Sequence, residues 1–191
     1  MPMRAKASQR QNRTRPAILG VLARCPATGY EIRRHIAGTL GHFWQESMGQ
    51  LYPTLAALAR EGLIRVVDKP SRDDRKRIRY TLTRAGRATL EAWLAQPPAR
   101  PIERNEMLLK LFFADLGRLD DAERHLAARL ADVREQREAL QTREREVFGG
   151  REPRKPELLL GWLTLQYGLA VFAAQMKWCE SVLDRLRRVE A

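Results

Sequence analysis

The stretch Ser47–Thr83, SMGQLYPTLAALAREGLIRVVDKPSRDDRKRIRYTLT, constrains this chain more than any other. Leu51, Leu55 and Leu58 fall at i, i+4 and i+7, which is one face of a helix. Glu61-Gly62 ends that helix, with glycine at the left-handed position helix termini favour. Leu63 to Lys69 reads as a strand. Arg77 to Thr83 reads as its partner, with Ile78, Tyr80 and Leu82 on one face and Arg77, Arg79 and Thr81 on the other. The residues between them, PSRDDRK, make a long charged hairpin tip. Helix, strand, basic turn, strand is the order of a winged helix-turn-helix, in which one helix enters the DNA major groove and the hairpin lies beside it.

The start of that helix has two readings. Ser47 to Gln50 can form a capping box. Pro53 would then lie six residues past the cap, where it loses a backbone hydrogen bond and can kink the helix. A start near Gln50 puts Pro53 in the first turn, where it does no harm. Upstream, Pro16 suits a first helical turn, and Ile18, Leu19, Val21 and Leu22 follow as a short buried helix. Thr28 opens T-G-Y-E, a second capping box, and its helix runs to about Ala37. Thr83 caps a fourth helix that holds Leu90, Trp93 and Leu94.

Charge supports a polyanion partner. The formal charge is +12, and residues 1–100 hold all of it: 19 Lys+Arg against 7 Asp+Glu, while residues 101–191 hold 16 of each. Residues 1–15 carry Arg4, Lys6, Arg10, Arg13 and Arg15 and no acid. They read as a disordered basic arm, either a tail on DNA phosphates or a solubilising terminus.

DNA is read by polar or small residues at the helix N-terminal end, because the first turn meets the base edges. Ser47, Gln50 and Thr54 sit there, with Tyr52 nearby. Gln can bind adenine through two hydrogen bonds, and Ser and Thr can contact bases or phosphates. Ser47 equally fits a cap, and Tyr52 fits either a phosphate contact or a packed ring. In the hairpin tip Arg72, Arg75, Lys76 and Arg77 flank Asp73 and Asp74; such a tip can straddle the phosphate backbone.

QPPARP, residues 96–101, has three prolines in six and marks a linker between a winged helix-turn-helix at 16–95 and a helical region at 102–191. The whole is mainly α with a small β-hairpin. Glu103 to Ala114 carries a stripe of Met107, Leu108, Leu111 and Phe112. Asp120 to Glu123 resembles a capping box and opens a long charged helix with Leu119, Leu126, Val133, Leu140 and Val147 every seven residues. Gly149-Gly150 stops it. After Pro156, Leu158, Trp162, Leu165, Leu169, Phe172, Met176, Cys179, Leu183 and Leu186 follow in 4-3 spacing. Such a stripe is a dimerisation seam or an intramolecular bundle core. Three helices do not easily bury it together with a heptad seam. The expectation is therefore a symmetric dimer joined through Leu158, Trp162, Leu165, Leu169, Phe172, Met176 and Leu183, matching a palindromic operator with half-sites about 34 Å apart. Phe112, Phe113, Trp162, Tyr167 and Trp178 gather in this half and either line a cleft for a flat ligand or form an ordinary aromatic core.

Other classes find little support. Cys25 and Cys179 are too few for a disulfide framework, and no CxxC or His/Cys cluster suggests a metal. No G-x-S-x-G, H-E-x-x-H or Gly-rich phosphate loop points to an enzyme or a cofactor. The basic N-terminus lacks the apolar segment of a signal peptide, and Leu158 to Ala174 falls short of the ~20 apolar residues of a membrane span, so a cytoplasmic protein without a membrane partner is expected. The alternative is a winged helix used as a protein-interaction module, with the helical half docking a partner.

ILGVLARCPATGYEIRRHI, SMGQLYPTLAALAREGLI and RKRIRYTLTRAGRATLEAWL together resemble the PadR family of transcriptional regulators. Gly29-Tyr30-Glu31-Ile32, Gly49, Leu51-Tyr52-Pro53, Leu55, Leu58, Gly62-Leu63-Ile64, Tyr80, Leu82-Thr83 and Gly86 carry the resemblance over about residues 16–94. Pro53 is part of that pattern, so the resemblance implies that the helix tolerates it. IERNEMLLKLFFAD and the two longer helices after it are similar, more loosely, to the Vir-like subgroup. The resemblance implies a homodimeric repressor, joined through its C-terminal helices and released by an aromatic or drug-like effector or a stress signal. The hairpin tip departs from the pattern in lacking glycine.

Overall fold

The computed structural model describes residues 3–44, 48–68, 78–99 and 104–189. It divides into two compact units, Met1–Arg100 and Pro101–Ala191, and the division falls inside the proline-rich stretch 96–101.

In the first unit α1 spans Met3–Arg24, β1 Ala27–Thr28, α2 Gly29–His35, α3 Leu51–Arg60, β2 Ile64–Asp68, β3 Arg79–Leu82 and α4 Arg84–Leu94. The backbone of 3–15 is helical, where the sequence suggested a disordered arm. Ala5, Lys6, Ala7, Gln9, Arg10 and Gln11 are strong helix formers with no glycine among them. Pro16 therefore lies inside α1 rather than in its first turn.

Thr28 caps α2 as expected. Its hydroxyl accepts from the Glu31 N–H at 3.2 Å, and its own N–H donates to Glu31 Oε2 at 2.7 Å. A π-helical turn, Ile36–Leu40, follows. A 3-10 turn at Met48–Gln50 leads into α3, which begins at Leu51 with Gln50 at the cap position. Pro53 is then the third residue of the helix, where its missing N–H would have had no intrahelical partner. Ser47 lies outside the described residues. Gly62, at φ +72, closes α3, and the Leu63 N–H returns to the Leu58 carbonyl at 3.0 Å.

The sheet has three antiparallel strands in the order β1-β3-β2. Ile64 pairs with Leu82, Val66 with Tyr80, and Ala27 with Tyr80, with an irregularity between Val66 and Asp68. Only a hairpin was expected. β1 is two residues long, too short for alternation to show. The core gathers Ile18, Leu19, Ile32, Leu51, Leu55, Leu58 and Ile64, all buried, with Tyr80 and Leu82 packed against it. Each fully buried Leu or Ile contributes roughly 1.5–3 kcal/mol.

In the second unit α5 spans Glu106–Phe112, α6 Leu119–Phe148 and α7 Pro156–Val189. Asn105 caps α5, its side chain accepting from the Leu108 N–H at 3.1 Å. The expected capping box at Asp120 does not form. Arg118 occupies the cap position and its side chain caps no backbone N–H; instead it pairs with Asp120, in the first turn, at 2.8 Å. Gly149, at φ +68, ends α6.

The α7 stripe, expected as a dimer seam or a bundle core, packs largely against α6 of the same chain. Leu165 and Phe172 are buried against Val133 and Leu140 of α6, with Leu169 and Met176 beside them. Leu183 and Cys179 are buried against Leu126 and Leu130. The α6 heptads and the α7 stripe thus cover each other as an antiparallel hairpin within one chain. Leu158, at the start of the stripe, is exposed, and Trp162 is half-buried with its indole N–H donating to Glu144 at 3.2 Å. A second apolar face remains on α7, with Leu160, Leu163 and Tyr167 exposed. α7 is also long and apolar enough by length and composition to cross a membrane, yet one of its faces is taken up by α6.

Candidate nucleic-acid interface

The first unit presents one outward surface built on α2 and α3. On α3, Leu51, Thr54, Leu55 and Leu58 point into the core, which leaves Tyr52, Pro53, Ala56 and Arg60 exposed. Gln50 is half-buried just before the helix. Thr54, expected as a DNA contact, is turned the other way. It is 4% exposed, and its hydroxyl donates to the Gln50 carbonyl at 2.7 Å, as a threonine on the i+3/i+4 core stripe must. Tyr52 is 56% exposed and so is no core ring, although its edge rests on Gly29 of α2.

Sequence reasoning passed over α2 as a contributor. Tyr30, Arg33 and Arg34 are exposed on it, and Arg60 stands at the far end of α3. The signal was present in the basic pair following an amphipathic turn, but a basic helix end also fits simple complement to the helix dipole. The expected hairpin-tip residues Arg72, Arg75, Lys76 and Arg77 lie outside the described residues, as does Ser47.

Two contacts fix this surface. Arg79 on β3 donates to the Pro26 carbonyl at 2.9 Å and to Glu31 Oε1 at 3.2 Å, which ties the wing strand to the start of α2. The Thr28 backbone N–H, with Arg79 adding, holds the Glu31 carboxyl below the usual carboxylate range. Arg15 of α1 pairs with Glu61 at the end of α3, lowering the Glu61 pKa and raising its own. Helix α3 is thus anchored at its exit, and α2 is anchored to the wing. Burial pushes the Tyr80 phenol up, and Tyr52 adds to the rise.

In the second unit Met107, Leu108, Arg129, Gln175, Trp178 and Cys179 line a cavity of about 360 Å³. Arg129 donates to Gln175 Oε1 at 2.8 Å on its wall. Of the aromatics expected to form a ligand cleft, only Trp178 reaches it. Phe112 and Phe113 stack edge to face on each other at 4.9 Å and are exposed, and Tyr167 faces outward. Trp162 is sixteen positions from Trp178 on the same helix, about 24 Å away. No group of three or more His, Cys, Asp or Glu side chains suited to a metal occurs among the described residues.

Comparison with known proteins assigns these two units. Residues 18–92 match the transcriptional regulator PadR-like family, and residues 103–187 match the virulence activator alpha C-terminal family. The negative transcriptional regulator PadR of Bacillus subtilis is 35% identical over 100 residues, 51% of this chain and 54% of that protein. A probable transcriptional regulator of Mycobacterium tuberculosis is 25% identical over 183 residues, 90% of this chain and 96% of that one. The Vibrio cholerae virulence activator AphA has the same fold, with a TM-score of 0.75 at 29% identity over 92% of this chain and 99% of its own. Bacillus subtilis PadR has been solved with operator DNA, with a TM-score of 0.74 at 26% identity, covering 91% of this chain and 98% of that one. It has also been solved with p-coumaric acid, with a TM-score of 0.73 at the same identity and coverage. The chain belongs to the PadR-like family of transcriptional regulators, which are DNA-binding proteins and not enzymes.

Proposed function

We propose that this chain is a homodimeric, cytoplasmic repressor that reads a palindromic operator and is released by a small aromatic molecule. The observation that carries the DNA reading is the exposed set Tyr52, Ala56 and Arg60 on α3 beside Arg33 and Arg34 on α2, in the half that holds all of the net charge. Gln50 and Tyr52 stand at the end of α3 that meets base edges, and Ala56 is small enough to touch a thymine methyl. Arg33 and Arg34 reach phosphates, as the first helix of the motif crosses the backbone. Arg72, Arg75, Lys76 and Arg77 supply the wing contact.

The dimer is formed by the faces that the α6–α7 hairpin leaves uncovered, not by the stripe inside it. Leu160, Leu163 and Tyr167 on α7 and Leu109, Phe112 and Leu116 near α5 are exposed apolar residues that a second copy would cover. Repression follows the negative regulator from Bacillus subtilis, and that protein's complex with p-coumaric acid supports an effector of similar chemistry. The cavity beside Trp178 has room for such a molecule, with an apolar floor and on its wall the Arg129 guanidinium, itself paired with Asp132.

The test is a salt titration of binding to duplex DNA from the protein's own promoter. Arg75→Ala with Lys76→Ala should weaken binding uniformly and lower the salt slope by about two, because each phosphate neutralised releases close to one counterion. An unchanged slope removes the wing from the interface. Absence of specific binding at physiological salt would favour the protein-interaction alternative.

A further inference from the structure

Gly29 has no backbone reason to be glycine. It is the first residue of α2, it is buried, and its φ is not positive. In a helix alanine is the better residue, so propensity argues against glycine here. Space argues for it. A Cβ at this position would lie 2.8 Å from Tyr52 Cε1 and 3.5 Å from Tyr52 Cδ1. The next neighbour, Leu55 Cδ1 at 3.4 Å, would tolerate it as ordinary contact. The one thing that glycine permits is the seating of the Tyr52 ring against the start of α2.

We infer that Gly29 is a positioning residue for DNA recognition: its missing side chain lets the Tyr52 ring rest on α2, which aims the phenol across the outward face of α3. The inference rests on the reading that this face meets DNA. Tyr52 stands where three elements converge. It sits on α3, leans on α2, and lies near enough to Tyr80 of β3 to influence that half-buried phenol. The α2 start is itself tied to β3 through Thr28, Glu31 and Arg79. The ring's seat is therefore fixed by hydrogen bonds that do not involve the ring. An exposed tyrosine otherwise samples several rotamers, and holding it in one reduces what binding must order.

The ring is half exposed, so a Cβ at position 29 can push it outward at little cost to the fold. The experiment uses the full chain and a duplex that the wild type selects from a randomised 30-bp pool. Affinity is read by fluorescence anisotropy for the wild type, Gly29→Ala, Tyr52→Ala and the double variant, with a melting curve for each. Tyr52→Ala and Gly29→Ala are each expected to bind about 10-fold more weakly, the size of one directed contact. The double variant should bind no more weakly than Tyr52→Ala, and Gly29→Ala should melt within about 3 °C of the wild type.

Gly29→Ala binding like the wild type, while Tyr52→Ala is weakened, would overturn the inference and leave the surface reading intact. Additive losses in the double variant would also overturn it, since Gly29 would then act without Tyr52. If Gly29→Ala and the double variant both melt far below the wild type, the glycine serves the fold instead. Unaltered binding by Tyr52→Ala would overturn the inference and leave the surface to its other residues, whereas failure of the wild type to select any duplex would remove the surface reading itself.

Discussion

The two units dispose of their apolar residues in opposite ways. The first closes on itself. Ile18, Ile32, Leu55, Leu58 and Ile64 are each 1% exposed or less, and strands, helices and caps converge on them from every side. Its face over α2 and α3 carries arginines and two tyrosines, while Trp93 and Leu94 at the end of α4 stay exposed. The second unit is a helix hairpin with one dry seam, centred on Leu126, Val133 and Leu165. Helix α5 covers only one end of that seam through Met107 and Leu111, so apolar side chains remain outside: Leu160 of α7 is 65% exposed, Phe112 of α5 77% and Leu116 just after it 80%. A closed module with a charged face is built to meet a polyanion. An open hairpin leaves apolar surface for a partner to cover, and the dimer proposed above would cover it.

The largest effect should come from charging the seam. Val133 is fully buried between α6 and α7, and Val133→Asp would place a carboxylate there with no partner. The cost of several kcal/mol should unfold the second unit. Hydrogen exchange would show α6 and α7 losing amide protection while α1 to α4 keep theirs. Loss of protection in both halves would break the picture of two separately closed cores.

Next in size is the outer face. Leu163→Asp with Tyr167→Asp changes residues that are 48% and 64% exposed, so the hairpin itself should survive with its helicity intact. Light scattering should report half the wild-type mass. Operator affinity should fall about 100-fold, the usual advantage of two half-site readers on one body. A dimer mass for this variant would move the interface elsewhere. Leu165→Ala gives the complementary contrast, since it should destabilise the hairpin by about 2–5 kcal/mol without touching the outer face.

A smaller effect belongs to the first unit alone. Thr28→Ala removes the reciprocal cap at the start of α2, and the loss should be about 1 kcal/mol. Urea denaturation read on the first unit should show it. An unchanged midpoint would mean that Arg79 holds the α2 start without the cap.

The same contrast explains what was legible in the sequence. Much of the first unit could be read because local signals set it: Thr28 and Thr83 as caps and Gly62 as a left-handed stop. Such signals act within four residues and need no knowledge of the fold. Thr54 was misread because its polarity spoke for the surface while its register, three residues after Leu51, spoke for the core. The stripe on α7 shows the other limit. Periodicity says that a face is buried, not what buries it. Leu165, Phe172 and Leu183 are buried by α6 of the same chain, while Leu160, Leu163 and Tyr167, whose spacing is as helical but less strictly apolar, stay exposed. The cavity beside Arg129 was illegible because Met107, Gln175 and Cys179 meet only through packing.

The smallest effect separates the two units by pH and salt. The Glu31 carboxyl is held below its ordinary range, first by the Thr28 N–H and then by Arg79. A carboxyl whose folded pKa is depressed adds stability that is fully present above the unfolded value, near 4.3, and is lost as pH falls through the folded value. Glu31→Gln should therefore leave the first unit nearly unchanged in acid, where the wild type has already lost this contribution. It should cost most at neutral pH, modestly, because the carboxyl is more than a third exposed. In the second unit Glu106 and Asp120 are lowered as well, but through Lys110 and Arg118 on an open surface. Salt near 1 M screens such pairs and leaves a backbone hydrogen bond in place. Urea midpoints between pH 3 and 7, with and without salt, should thus show an acid limb for the first unit that survives screening and disappears in Glu31→Gln. A limb that salt removes would assign the contribution to Arg79 and not to the cap.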